Sequence, residues 1–173
     1  MKKSIILLAG TLLLTVGILS PIQAQVEKVD IRVDGLSCPF CAYGLEKKLK
    51  SIEGVGGVKI YIDKGVAALE NKKEKSIAVE SLESVVKDAG FTPREITATV
   101  VGKVAQSDGT LVFSATGSDV VFIINDNAEF QKLHSALKGS EKRVRITGRL
   151  AHDTQEGHQA HPYTLTLEKF EVI

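Results

Sequence analysis

The sequence predicts an α+β protein, in which a ferredoxin-like βαββαβ unit is followed by a small OB-like β-barrel. In the first half, alternating apolar and polar residues, typical of half-buried strands, enclose two stretches with helical periodicity. In the second half, five strand-like stretches surround one helical stretch. A charged fraction of 25% beside a hydrophobic fraction of 43% excludes a disordered tail and a polytopic membrane protein.

The N-terminal segment is typical of a targeting sequence. Two lysines precede an apolar run from Ser4 to Leu19, and Ala24 offers a small residue for cleavage. The run is shorter than the roughly 18 to 20 residues that span a bilayer. We therefore expect a cleaved signal peptide over residues 1–24, a periplasmic or otherwise exported protein, and no stable membrane anchor after cleavage.

The mature chain is close to neutral. Two of the 22 basic residues lie in the signal peptide, so 20 face the 21 acidic ones. Because a nucleic-acid binder usually has a basic face, we expect no nucleic-acid partner. If the protein is exported, we expect its cysteines to lie in an oxidising compartment.

The first strand and helix follow the signal peptide. The strand is indicated by three alternating residues, Val29, Ile31 and Val33. The amphipathic helix is indicated by four residues at three- and four-residue steps, Ala42, Leu45, Leu49 and Ile52. Gly54 is predicted to end this helix.

A hairpin and a second helix complete the first unit. Alternation at Val58–Ile62, a turn at 63–65 and a return strand at Val66–Leu69 predict the hairpin. The helix is indicated by five apolar residues, Ala78, Leu82, Val85, Val86 and Ala89. It is predicted to stop at Gly90, and a long strand to begin after Pro93.

The second half predicts the barrel. Beyond the long strand, which reaches about Ala105, the predicted elements are strands at 111–114 and 120–124, a helix, and strands at 144–150 and 163–172. The helix places Phe130, Leu133, His134 and Leu137 on one face, with residues 125–127 able to cap its start and Gly139 its end. We expect the first domain to span residues 25–95 and the barrel residues 96–173, docked against each other.

Cys38 and Cys41 are the two cysteines of the chain, and they lie where a strand leads into a helix. Their sulfurs can converge on one ion. Backbone N–H groups and the positive end of the helix dipole are expected to favour the thiolate that metal ligation needs, especially on Cys41. Two soft ligands suit a two-coordinate ion, so Cu(I) or Hg(II) is expected as the bound ion. Zn(II) fits less well because its structural sites take four ligands.

The segment from Gly35 to Cys41, with a β-α-β-β-α-β pattern, resembles the heavy-metal-associated domain over residues 26–95. That family includes copper chaperones, the periplasmic mercury-binding protein and modules of metal-pumping ATPases. The resemblance implies that Cys38 and Cys41 are the metal ligands and that Phe91 shields the loop. Leu36 stands where the family usually has a methionine that anchors the loop in the core, and leucine can do the same.

The pattern Cys-Pro-Phe-Cys is also close to that of glutaredoxins, which leaves a thiol-disulfide oxidoreductase with Cys38 as the attacking thiol as an alternative. The hairpin at Val58–Leu69 comes too early for a thioredoxin-like fold. Two further interpretations are a structural disulfide, which would close too small a loop to stabilise much, and an interaction module in which the barrel binds the partner.

The other candidates are weaker. His152, His158 and His161 could bind Cu(II) or Zn(II) in a loop before the last strand, although solvated histidines are the commoner case. Two lysine groups could steer an acidic partner or merely be solvated: Lys47, Lys48 and Lys50, and Lys72, Lys73 and Lys75. No residue pattern supports an enzyme. By resemblance, we expect an exported scavenger or chaperone that passes its ion to a membrane metal transporter or another thiol-bearing metal protein.

Overall fold

The computed structural model describes residues 26–73, 75–107, 110–114, 121–137, 142–152 and 163–173. The predicted signal peptide, residues 1–24, lies outside the described residues. The strands are β1 Val26–Asp34, β2 Val55–Tyr61, β3 Val66–Asn71, β4 Thr92–Ser107, β5 Thr110–Ser114, β6 Val121–Asn125, β7 Val144–His152 and β8 Tyr163–Val172. The α-helices are α1 Pro39–Leu49, α2 Leu82–Asp88 and α3 Ala128–Leu137, and short 3-10 turns cover Ile62–Lys64 and Val79–Ser81.

The first half is a four-stranded antiparallel sheet in the order β2-β3-β1-β4, with α1 and α2 packed together against it. Alternate residues of β1 and the apolar stripes of both helices lie in one core, which includes Val29, Ile31, Leu45, Leu49 and Val86. The alternation and the helical stripes read from the sequence therefore face each other, as burial of their apolar area requires.

The second half is a closed five-stranded barrel. Its strands follow the order β4-β5-β6-β8-β7, and a β4–β7 pairing closes the ring. All pairings are antiparallel except β6 with β8. Asn127 accepts a hydrogen bond from the Phe130 N–H at 2.8 Å and so caps α3, as predicted. The α+β class expected from the sequence is confirmed.

Strand β4 belongs to both halves. Its residues 92–100 pair with β1, residues 96–102 pair with β7, and residues 103–107 pair with β5. The boundary expected between residues 95 and 96 falls inside this strand, and the division into two domains stays a prediction. Arg145 of β7 adds a link, since it bonds Glu27 at 3.0 Å and Glu171 at 2.8 Å.

Two element boundaries of the prediction are wrong, and one residue of the third helix, His134, lies at the surface. Helix α1 ends at Leu49, and Gly54 instead allows a close approach of two backbones, since a β-carbon there would lie 1.8 Å from the Ser76 carbonyl oxygen. Strand β4 begins at Thr92 and contains Pro93, whose missing N–H costs little because β7 pairs only from Ile96 onward. His134 is exposed, while the three apolar residues predicted beside it are buried.

Candidate metal centre

The loop between β1 and α1 is fixed at its base by one buried side chain. Leu36 is only 5% exposed and belongs to the core, which is the anchoring position predicted for it. Gly35 before it has φ +84°, a left-handed conformation that favours glycine, and its carbonyl accepts the Ser37 N–H at 2.9 Å. This tight turn brings the chain out of the core directly before Cys38.

Cys38 and Cys41 lie at the start of α1. Cys38 is the N-cap residue, and its carbonyl accepts the Ala42 N–H at 2.9 Å. Pro39 follows at the first helical position, where its fixed φ and missing donor are compatible with a helix. Both thiols are free, Cys38 half-buried and Cys41 exposed. The helix start therefore places both cysteines within one turn and leaves them open to solvent.

The two thiols differ in acidity, and the expectation that the thiolate is favoured especially on Cys41 is wrong. The Cys41 backbone N–H, the Cys41 thiol and the Phe40 backbone N–H all stabilise the charged Cys38 sulfur and lower the pKa of Cys38. The pKa of Cys41 is raised, first by its interaction with the Cys38 sulfur and then by desolvation and the negative charge on Cys38. Such a pair holds one thiolate readily, as expected for backbone N–H groups at a helix N-terminus.

Two further contacts hold the base of the loop. Phe91 is half-buried against the core, and a β-carbon on Gly35 would lie 3.8 Å from its Cδ1 atom. Arg94 donates to Asp34 at 2.6 Å across the ends of β1 and β4. Phe91 thus lies at the loop, where the sequence placed it. Its shielding of an ion stays a prediction.

Sequence reasoning missed the aromatic surface beside the cysteines. Phe40 is 90% exposed and Tyr43 is 69% exposed. Both lie in the first part of α1, three residues apart and away from the buried stripe of Ala42, Leu45 and Leu49. The signal available in the sequence was that neither residue falls on the three- and four-residue steps of the apolar stripe. Large exposed aromatic side chains are typical of surfaces that meet a partner.

Of the three candidate histidines, His152 is the one that lies among the described residues. His152 is exposed, and its ring lies 5.5 Å from that of Tyr163. His158 and His161 lie outside the described residues. Across the described ranges, no group of three or more His, Cys, Asp and Glu side chains is placed to hold a metal ion.

The lysine groups differ in their contacts. Lys48 donates to the Asp88 carbonyl at 2.8 Å, and Lys50 pairs with Glu46 at 2.6 Å, so both are engaged on the protein surface. Lys47, Lys72, Lys73 and Lys75 are exposed. Within the described part of the chain, no helix has the length and apolar character needed to cross a membrane.

Comparison with known proteins gives several relatives of small size. The chain is 33% identical over 64 residues to the COP-associated protein of Helicobacter felis, a match that covers 37% of this chain and 94% of that protein. It is 29% identical over 72 residues to the mercuric transport protein periplasmic component of Shigella flexneri, which covers 42% of this chain and 78% of that protein. It is 28% identical over 67 residues to the copper chaperone CopZ of Staphylococcus haemolyticus, with coverages of 39% and 96%.

Solved structures with partial similarity include a CopZ metallochaperone, with a TM-score of 0.36 and 24% identity over 39% of this chain and 98% of that one. The crystal structure of oxidized MerP from Ralstonia metallidurans CH34 has a TM-score of 0.35 and 25% identity over 41% of this chain and 94% of that one. No family model matches the chain.

Proposed function

The chain belongs to the heavy-metal-associated domain family, and on that premise we propose that it is an exported protein that binds one soft metal ion, Cu(I) or Hg(II), between Cys38 and Cys41. The observation that carries the proposal is the placement of two free thiols within the first turn of α1, both open to solvent. Two thiolates suit a linear, two-coordinate ion of soft character.

The acidity of the pair supports ion uptake at neutral pH. Metal ligation requires deprotonated sulfur, so a group that holds a thiolate readily lowers the cost of binding. The lowered pKa of Cys38 supplies the first ligand. The pKa of Cys41 is raised first by its hydrogen bond to the Cys38 sulfur, then by desolvation and by the charge on Cys38. A cation bound by the Cys38 thiolate would weaken that hydrogen bond and offset that charge, so the second thiol can lose its proton.

Exposure of the site favours transfer over storage. Cys41 and the adjacent Phe40 are open to solvent, so sulfurs of a second protein can reach the ion from outside. We propose that the ion passes by ligand exchange to a membrane metal transporter or another thiol-bearing metal protein. The aromatic pair Phe40 and Tyr43 would contact that partner beside the exchanging sulfurs.

A metal titration tests the proposal. The reduced protein should bind one Cu(I) or Hg(II) per chain under anaerobic conditions against a competing chelator, and Zn(II) more weakly. Cys38→Ser/Cys41→Ser should abolish this uptake, whereas His152→Ala, which removes an exposed imidazole elsewhere, should leave it unchanged. Equal uptake by the double serine variant and the wild type would refute the cysteine site.

A second candidate function, thiol-disulfide exchange, is favoured by the lowered pKa of Cys38 and its access to solvent. In that case Cys38 attacks a partner disulfide, and Cys41 resolves the mixed disulfide by attacking the Cys38 sulfur, which leaves the partner reduced and the pair oxidised. Multiple-turnover reduction of insulin with glutathione as reductant, without stoichiometric metal uptake, would support it. The metal-binding proposal expects stoichiometric uptake and no such turnover.

Export is proposed from the N-terminal sequence, since residues 1–24 combine a basic start, an apolar run and a small-residue exit. Mass spectrometry of the protein recovered from a periplasmic or culture-medium fraction should give a mature N-terminus at or near residue 25. Recovery of an intact Met1 in the cytoplasmic fraction would contradict this.

A further inference from the structure

A cleft of about 260 Å³ lies between the second-helix segment and the barrel, separate from the cysteine loop. One wall comes from residues 79–87, and the other comes from β4, β7 and the start of β8. Within the described residues, the cleft thus lies where the two halves of the chain meet. Ligand sites often occur at such junctions, and this volume suits a small molecule.

The inner part of the cleft is apolar. Four aliphatic side chains line it, and of these Val79, Leu82 and Ile96 are buried while Leu150 is half-buried. The surface open to a ligand is mainly that of half-buried Leu150, with a small part from Ile96 and Val79. Burial of a short alkyl stem there is favourable because it removes apolar area from water.

The charged groups of the cleft leave one carboxylate uncompensated. Glu83 is paired with Lys87 at 3.1 Å, so these two charges neutralise each other. Glu80 is exposed and forms no ion pair with any residue in the described part of the chain. Among the described residues that line the cleft, the charged side chains therefore sum to about one negative charge, on Glu80.

Tyr163 supplies a second polar group. It is half-buried, its ring packs edge-on against His152 at 5.5 Å, and its hydroxyl has no hydrogen-bond partner among the described residues. Burial, with Glu80 and Glu83 nearby, raises the pKa of Tyr163. The hydroxyl therefore keeps its proton at neutral pH, and its oxygen can still accept a hydrogen bond.

We propose that this cleft binds a small primary alkylammonium ion. The ammonium group, which has three N–H donors and one positive charge, would donate to the Glu80 carboxylate and the Tyr163 oxygen. Its alkyl stem would contact Leu150 and the accessible part of Ile96. A neutral or anionic head group of the same size would leave Glu80 without a counter-charge.

Titration of the purified protein with n-butylammonium, followed by amide chemical shifts, tests the proposal. Saturable shifts should be confined to residues 79–87, 96, 150–152 and 163. 1-Butanol and butanoate should bind about two- to fivefold more weakly or worse, since neither can form the ion pair with exposed Glu80. From propyl- to pentylammonium, affinity should rise about three- to fourfold per methylene. Equal affinity for butanol and butylammonium, or no saturable shift, would overturn the proposal.

Matched variants separate recognition by Glu80 from general attraction of cations. Glu80→Gln should lower the butylammonium affinity about two- to fivefold, the effect expected of an exposed ion pair, and leave the weak butanol affinity unchanged. Asp63→Asn removes the same charge from an exposed residue of the hairpin turn outside the cleft and should have no effect. An equal loss in both variants would overturn the proposal. Cys38→Ser/Cys41→Ser should keep the ammonium affinity, whatever the outcome of the metal titration.

Discussion

The Cys41 backbone N–H and thiol stabilise the thiolate of Cys38, so the cysteine that caps α1 is the more acidic of the two. Alkylation by iodoacetamide requires a thiolate. Cys38 should therefore be modified at lower pH than Cys41, as peptide mass spectrometry can measure over pH 5 to 9.

Loss of the neighbouring thiol should change this acidity in a known direction. Cys41→Ala removes the thiol that lowers the pKa of Cys38, but it keeps the backbone N–H groups. The reaction of Cys38 should therefore shift to somewhat higher pH and stay below that of an unperturbed cysteine. Faster modification of Cys41 than of Cys38 in the wild type would contradict the structure.

Leu36 should matter more for stability than its exposed neighbour. Leu36→Ala leaves a cavity where a side chain of 5% exposure packed, so we expect a loss of about 2 to 4 kcal/mol in the free energy of unfolding. Ser37→Ala, in the same exposed loop, should change it by less than about 0.5 kcal/mol. Urea denaturation of the reduced protein measures both, and equal effects would disprove the anchoring role.

The two phenylalanines near the cysteines should also differ in how much their substitution by alanine changes the free energy of unfolding. Phe40 is 90% exposed, so Phe40→Ala should leave stability within about 0.5 kcal/mol of wild type. Phe91 is half-buried against the core, and Phe91→Ala should cost about 2 kcal/mol, less than a fully buried phenylalanine. Thermal and urea unfolding give the comparison. A large loss for Phe40→Ala would place that ring in the core.

Gly54 and Gly44 form a matched pair for substitution by alanine. At Gly54, φ is +80° and a β-carbon would overlap the Ser76 carbonyl, so Gly54→Ala should cost about 2 kcal/mol or more. Gly44 lies inside α1 with open space around it, so Gly44→Ala should stabilise the protein by about 0.5 to 1 kcal/mol. Urea denaturation measures both, and a neutral Gly54→Ala would contradict the close approach.

Arg145 should contribute a salt-dependent part of the contact between the halves. Arg145→Met removes ion pairs to Glu27 and Glu171, both partly exposed, so we expect a loss of about 1 kcal/mol that shrinks in 1 M NaCl. Lys87→Met removes a single exposed pair with Glu83 and should cost about 0.3 to 0.5 kcal/mol. An Arg145 effect that is independent of salt would indicate lost packing instead.

Periodicity predicted most of the fold because burial in this protein follows it closely. The stripe of Ala42, Leu45 and Leu49 is the buried face of α1, and the two cysteines lie at the helix start, where local sequence placed them. The end of α1 was misplaced at Gly54 because a glycine with positive φ can serve either a helix end or a close backbone approach. Which of the two applies at Gly54 depends on Ser76, a residue distant in the chain.

The cleft and the exposed aromatic surface could not be predicted from the periodicity of the sequence. Glu80 and Tyr163 line one cleft only because residues 79–87 lie beside the barrel strands, and no local sequence pattern predicts that packing. The exposure of Phe40 depends on the rotation of α1 about its axis, which Leu36 and the buried stripe determine together.

The double membership of β4 has a practical consequence for anyone who wishes to isolate the cysteine-bearing half. A fragment that ends at residue 95 would lack residues 96–100 of β4, which pair with Val26 to Ile31 of β1. The unpaired strand edge would promote aggregation. Truncation at the boundary expected between residues 95 and 96 would thus destabilise the half of the chain that carries the cysteines. A stable fragment must extend β4 to about Val101, although this exposes apolar residues that pack in the barrel of the full chain.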